Sequence, residues 1–285
     1  MTDADRGRVA HDSATAFVRQ RAPGRSATIA RMAPVHPSPP PYTLRHSARS
    51  RHLRITIDPA LGLVVTVPPP TRRGWAHPEA RIEAFLQDRA TWVVRHVEAL
   101  ERDREAAAAR GGAQDGGLVP YLGELHRVRV RPVGDRPART TVEAVETVDG
   151  PAVVIRLGAR ERRPIDRVLV AWLRDRAREA IDAAVERHAA ALGVRPSKVD
   201  IRDPKSRWGS ASRNGRLMVS WRLVLAPPAS LETVVVHELA HLKVFGHGPA
   251  FWALVAGRRP THLADRAWLR RNAFALHTAL EPAER

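Results

Sequence analysis

Residues 234–252 read VVVHELAHLKVFGHGPAFW, with three histidines and one glutamate inside eleven positions of a mostly apolar run. Placing that many titratable groups among valines and leucines is costly unless each meets a partner. The spacing suggests one. Residues four apart share a helix face, so His237 and His241 can reach a single ion. Glu238 sits one residue on, beside it. This HExxH pattern is the zinc-hydrolase arrangement: two imidazole ligands, a carboxylate base and an open position for water. Val234, Val235, Val236, Leu239 and Leu242 make the helix apolar nearly all round, as a buried helix is. The competing reading is a core helix whose histidines are satisfied without metal, and it needs a separate partner for each buried polar group.

A third ligand is required. His247 follows His237 at the metzincin spacing, but that pattern also wants a glycine at 244 and a later methionine turn. Position 244 is valine, and no methionine follows Met218. Gly246 can instead end the helix in a left-handed cap. Gly248 and Pro249 then open another helix, with proline in its favoured first turn. That puts His247 in the corner between the two helices, with Asp265 as the competing ligand. Phe251 and Trp252 are expected to pack on the metal helix as core. The remaining glutamates downstream, Glu281 and Glu284, lie in the tail, which argues against a thermolysin-type ligand.

The 285 residues are enough for one large domain or two small ones, and 44% are apolar, so most of the chain should fold. The absence of cysteine excludes disulfides, thiolate metal sites and thiol nucleophiles. No apolar run reaches 18 residues, so a soluble cytoplasmic protein without a membrane partner is expected. The net charge of +17 is almost wholly arginine, since only Lys198, Lys205 and Lys243 are lysine. With abundant alanine, glycine and proline, this reads more as codon bias of a GC-rich genome than as a localised nucleic-acid patch.

Residues 1–40 are rich in alanine, arginine, serine and proline and are expected to be a disordered tail, within which Met32 is a second candidate start. Strands LRITID and LVVTV, joined by PALG, read as a hairpin. His77 to Arg104 reads as one helix on the spacing of Ile82, Phe85, Leu86, Trp92, Val93 and Val97. The segment AAAARGGAQDGG reads as a linker. Strands are expected near 125–130, 141–145 and 153–157, then a helix over Ile165 to Leu192. SKVDIRD and RLMVSWRLVLAPP read as strands, and helices near 230–246, 249–257 and 263–280 finish the chain. Strands early and helices late suggest α+β.

The segment from Arg202 to Trp252, with RWGS at Arg207–Ser210, Leu225-Ala226-Pro227, HELAHL, His247 and Phe251-Trp252, resembles the YgjP-like zinc metallopeptidase domain family, related to the SprT-like and WLM metallopeptidases. TWVVRHVEALE and YLGELHRVRV resemble that family's N-terminal half. The resemblance covers about 42–280, with the 1–40 tail, a Gly-rich stretch near 111 and an insertion near 133–150 as departures. It implies zinc at His237, His241 and His247, with Glu238 catalytic. The expected architecture is a β-rich part with a helix over 41–160, then over 161–285 a zincin-like domain with a mixed sheet and a buried active-site helix. In many zincins an edge strand lies above the metal and pairs with extended substrate. Arg216–Leu225 is the strand expected to do so.

Residues 195–222 carry eight cations against Asp200 and Asp203, a net of +6 interleaved with Trp208 and Trp221. Lys205, Arg207 and Trp208, at the RWGS element, are the expected substrate-binding residues. A zinc metallopeptidase acting on peptide or protein is the leading reading. A nucleotide pyrophosphatase, with Lys205 and Arg207 clamping phosphates, is the second. A nucleic-acid-associated module with structural zinc is the third.

Overall fold

The structure, a computed structural model, describes residues 40–58, 61–131, 139–204 and 207–280, so the expected 1–40 tail lies outside it except for Pro40. It is mixed α+β, with three sheets and six helices among the described residues. The chain divides into two compact units, Met1–Arg104 and Glu105–Arg285. No described helix is long and apolar enough to cross a membrane.

In the N-terminal unit, β1 (Tyr42–His46), β2 (Arg54–Asp58) and β3 (Gly62–Val67) form a sheet in the order β1-β3-β2. β2 and β3 pair antiparallel, as the hairpin reading expects, while β1 runs parallel to β3. Alternation along β3 puts Leu63, Val65 and Val67 on one face. They pack with Ile82 and Leu86 of α1 (Glu79–Asp88) and Val93 of α2 (Ala90–Arg110). The single helix expected over 77–104 is therefore two. Arg89 leaves helical backbone at φ −113° and ψ 18°, with no glycine or proline to mark the break. α2 also runs on through the alanines assigned to the linker, since alanine is the best helix former.

In the C-terminal unit, β4 (Leu118–Tyr121), β5 (Glu124–Arg131), β6 (Thr141–Thr147) and β7 (Gly150–Arg156) form a sheet ordered β4-β5-β7-β6. The glycine-rich stretch ahead of β4 is tightly built. Asp115 Oδ1 accepts from Val130 N at 2.7 Å. A Cβ on Gly117 would lie 2.2 Å from the Gly112 carbonyl oxygen, so only glycine fits. α3 (Ile165–Leu192) has the expected span and ends at Gly193 in the left-handed conformation, φ 63°. Its Leu169, Leu173, Ala177 and Ile181 join Val119, Val128, Val153 and Ile155 of the sheet in one core with Trp221, Leu223 and Leu225. The four-stranded sheet and α3 thus share one core within the second unit.

A third sheet holds β8 (Lys198–Arg202), β9 (Gly209–Ala211) and β10 (Arg216–Ser220), with β10 in the middle. The long strand expected over 216–228 stops at Ser220. Trp221–Leu225 is a 3-10 helix, opened by Ser220 Oγ accepting from Arg222 N at 3.3 Å. Trp221, Leu223, Val224 and Leu225 are all buried, and a short apolar run does not separate strand from helix. It leads into α4 (Pro228–His241), then α5 (Pro249–Arg258) and α6 (His262–Thr278).

Leu173 has no exposed surface and lies where α3 meets this core. Leu173→Ala should lower unfolding free energy by about 2–5 kcal/mol, read as a lower urea midpoint at unchanged slope.

Candidate metal centre

α4 is a buried helix with one polar exit. Val234, Val235, Val236, Leu239 and Ala240 are buried, while His237 and His241 reach the surface together from its last two turns. The helix ends at His241, five residues before the expected glycine cap. Gly246, at φ +98°, instead turns the following loop so that His247 comes back over the helix end. Gly248 and Pro249 open α5 as expected. Phe251 is fully buried against Val236 and Ala240, and Trp252 packs beside it, so this pair does form core against α4.

The three imidazoles converge. His237 Nε2 lies 3.2 Å from His241 Nε2 and 3.2 Å from His247 Nε2, and the three potential ligand atoms all fall within 4.8 Å of one another. Tetrahedral zinc with bonds of about 2.0–2.1 Å separates its ligand nitrogens by about 3.3 Å, which the two separations from His237 match. Burial, helped by the neighbouring imidazoles, pushes the His237 pKa down to about 3. Burial lowers His241 as well, against the Val244 carbonyl 3.3 Å from its Nδ1. Both rings are therefore neutral near pH 7. With Nδ1–H donating to Val244, the His241 Nε2 lone pair faces the cluster.

Asp265 belongs elsewhere. It is buried, and its Oδ2 accepts from Thr233 Oγ1 at 2.5 Å, Thr261 Oγ1 at 3.0 Å and an Arg259 terminal nitrogen at 3.3 Å. Arg259 also binds Glu232 at 2.9 Å, making a polar tie among α4, the end of α5 and α6. Among the described residues, the cluster that could hold a metal is His237, His241 and His247.

Glu238 points from the helix into the protein, 5% exposed. Its burial pushes the carboxyl pKa up to about 8, against the lowering pull of the Arg207 cation. The wall over it is the backbone of β9. A Cβ on Gly209 would lie 2.6 Å from Glu238 Oε1 and 2.7 Å from its Cγ. The RWGS glycine is thus fixed by a side chain almost thirty residues away, a relation with no signature in the sequence.

The strand expected to lie at the edge is not the one found there. β10, the start of Arg216–Leu225, is central, and β9 is an edge. Ser212 N donates to Arg216 O at 2.9 Å and Ser220 N to Trp208 O at 2.8 Å, with Ser210 opposite Met218. In antiparallel pairing, this leaves the backbone groups of Gly209 and Ala211 facing away from β10.

Of the expected substrate-binding residues, Lys205 lies outside the described residues and Arg207 is exposed. Trp208 stacks on His277 of α6 at 5.1 Å rather than on the histidine cluster. The basic segment is partly spent on pairs. Lys198 and Arg216 share Asp200 at 3.1 and 2.9 Å, and Arg222 binds Asp203 at 2.7 Å.

The family model for the YgjP-like metallopeptidase domain matches residues 51–272. The chain belongs to the YgjP-like family. No curated protein matches it. Among solved structures, the metallopeptidase zymogen of Pyrococcus abyssi abylysin is similar over 33% of this chain and 93% of that one, with 24% identity and a TM-score of 0.27. A YgjP-like metallopeptidase domain implies a metal, and the three histidines are a group that could hold one.

Two predictions follow from Glu238. Gly209→Ala should displace the carboxyl or the strand, costing about 1–3 kcal/mol of stability by overpacking, seen as a lower unfolding midpoint. In metal-free protein, a carboxyl raised from its ordinary 4.5 to about 8 stabilises the fold fully below pH 4.5. That contribution declines as the pH rises and is gone above 8. Glu238→Gln has no such loss. Its stability relative to wild type, measured in chelator, should therefore climb between pH 4.5 and 8 and then level.

Proposed function

We propose that this chain is a zinc-dependent metallopeptidase, with His237, His241 and His247 holding the metal and Glu238 as general base. The observation that carries this reading is a single juxtaposition. Three convergent imidazoles share a helix end with a buried carboxyl, one residue along from His237, that lies under an edge strand. Histidine-only ligation with a neighbouring glutamate differs from structural zinc, which more often uses cysteine and closes its shell.

Bound zinc would supply Lewis acidity at the scissile carbonyl and acidify a water. The chain's own groups do the rest. With a divalent ion held by the three histidines, the Glu238 carboxyl would ionise at lower pH and could serve as a base near neutrality. Glu238 then takes a proton from the attacking water and returns it to the leaving amine. Its dry setting makes both transfers sensitive to position, and the Gly209 backbone sets that position. An extended peptide can pair with the outward backbone groups of Gly209 and Ala211 along β9. Arg207 is the cation placed to meet substrate carbonyls or a carboxylate near that edge.

The pyrophosphatase reading asks for cations free to clamp phosphates. Its two expected clamps are Lys205, outside the described residues, and Arg207, which is exposed, while Lys198, Arg216 and Arg222 are held in ion pairs.

Purified protein should hold about one zinc per chain by elemental analysis, and His237→Ala, His241→Ala and His247→Ala should each reduce it sharply. Glu238→Gln should keep the zinc and lower peptide hydrolysis by about two to four orders of magnitude. A glutamine variant with full rate would sink the base assignment. Arg207→Ala should act mainly on KM for peptides; a collapse of kcat on nucleotides instead would favour the phosphate-anhydride reading.

A further inference from the structure

The three imidazoles are held in place by different means. His237 and His241 stand on α4, where their spacing aims them and Phe251 packs against both rings, at 4.8 and 4.4 Å between centroids. His241 also has the Val244 carbonyl at its Nδ1. His247 has neither the helix nor the carbonyl. It is exposed, on a loop between two glycines, and its one ring-nitrogen contact among the described residues is His237 Nε2. No carbonyl or carboxylate among the described residues fixes its other nitrogen, the usual way a metal-ligating histidine is oriented.

What its ring does meet is aromatic. Phe251 touches it edge-on at 5.0 Å, and Trp252 lies nearly parallel to it, 5.7 Å between centroids at 25°. Trp252 is itself backed by α6. His262 stacks on the indole at 5.7 Å and 19°, and the Arg266 guanidinium carbon stands 4.4 Å from the ring centroid. His262 and Arg266 are four apart on one helix and so approach from one side. His247 and His262 thus both lie nearly parallel to the same indole. His262 is fixed in turn: it is buried, and its Nδ1 donates to the Arg259 carbonyl at 3.0 Å.

We infer that Trp252 is a positioning residue for His247, a platform clamped by α6 that orients the loop-borne imidazole toward the other two. The inference rests on the proposed metal site. Stacking and the cation over the indole take the place of a backbone hydrogen bond. They order the ring before metal arrives, which lowers the ordering cost of binding.

The test uses the full chain, stripped of metal and titrated with zinc against a competing chelator. Trp252→Phe keeps an aromatic face and should bind zinc within about threefold of wild type. Trp252→Leu keeps apolar volume but no ring, and should weaken binding about 10- to 100-fold, with the metal-free melting temperature little changed. His247→Ala should be at least as weak as Trp252→Leu. A leucine variant that binds like wild type overturns the inference, as does equal weakening by phenylalanine and leucine. A wild type that takes no zinc overturns the metal-site reading itself. Wild type alone gives a further check should the leucine variant not fold. In metal-free protein, the His247 ring protons should be shifted upfield by the indole, and random-coil positions would overturn the platform.

Discussion

Burying the Glu238 carboxyl between α4 and the backbone of β9 constrains much of the C-terminal unit. A carboxyl in so dry a place must be neutral or balanced by a cation, and the space for it exists only because position 209 has no side chain. The strand that carries Gly209 is three residues long and cannot stand alone. It is held by β10, which pairs in parallel with β8 and runs into the buried 3-10 helix at Trp221. That helix packs with α3 in the core that also takes in the four-stranded sheet.

The reading of the sequence went furthest where one residue class follows one period. α3 was legible to its ends because an apolar stripe meets a terminal glycine. The face shared by His237 and His241 was legible because four-residue spacing is a property of helices. Elsewhere the signals were local and the cause was not. Arg89 breaks a helix that the apolar positions carry straight through. Trp221 to Leu225, buried except at Arg222, gives no period to read. β9 is too short to have a pattern, and its importance lies in its distance from Glu238. Trp252 was legible as core, but its contacts with both His247 and α6 depend on where α6 packs.

The charge of the 195–222 segment shows how composition overstates a surface. Asp200 sits between Lys198 and Arg216, one on each of two paired strands, and Asp203 takes both nitrogens of the Arg222 fork. Arg222 also donates to the carbonyls of Leu276 and His277 at the end of α6. These cations tie strands and a helix terminus together. The field of Arg207, by contrast, reaches Glu238.

The brevity of β9 bears on selectivity under the proposed function. Three residues of strand span about 10 Å, room for roughly three backbone units of a partner. Such a ledge reads amide groups far more than side chains. A segment already inside a helix or a sheet has those groups engaged and offers the ledge nothing. The cleft would then sort its clients by conformation, favouring unstructured or unfolding stretches of chain over folded ones, whatever their composition.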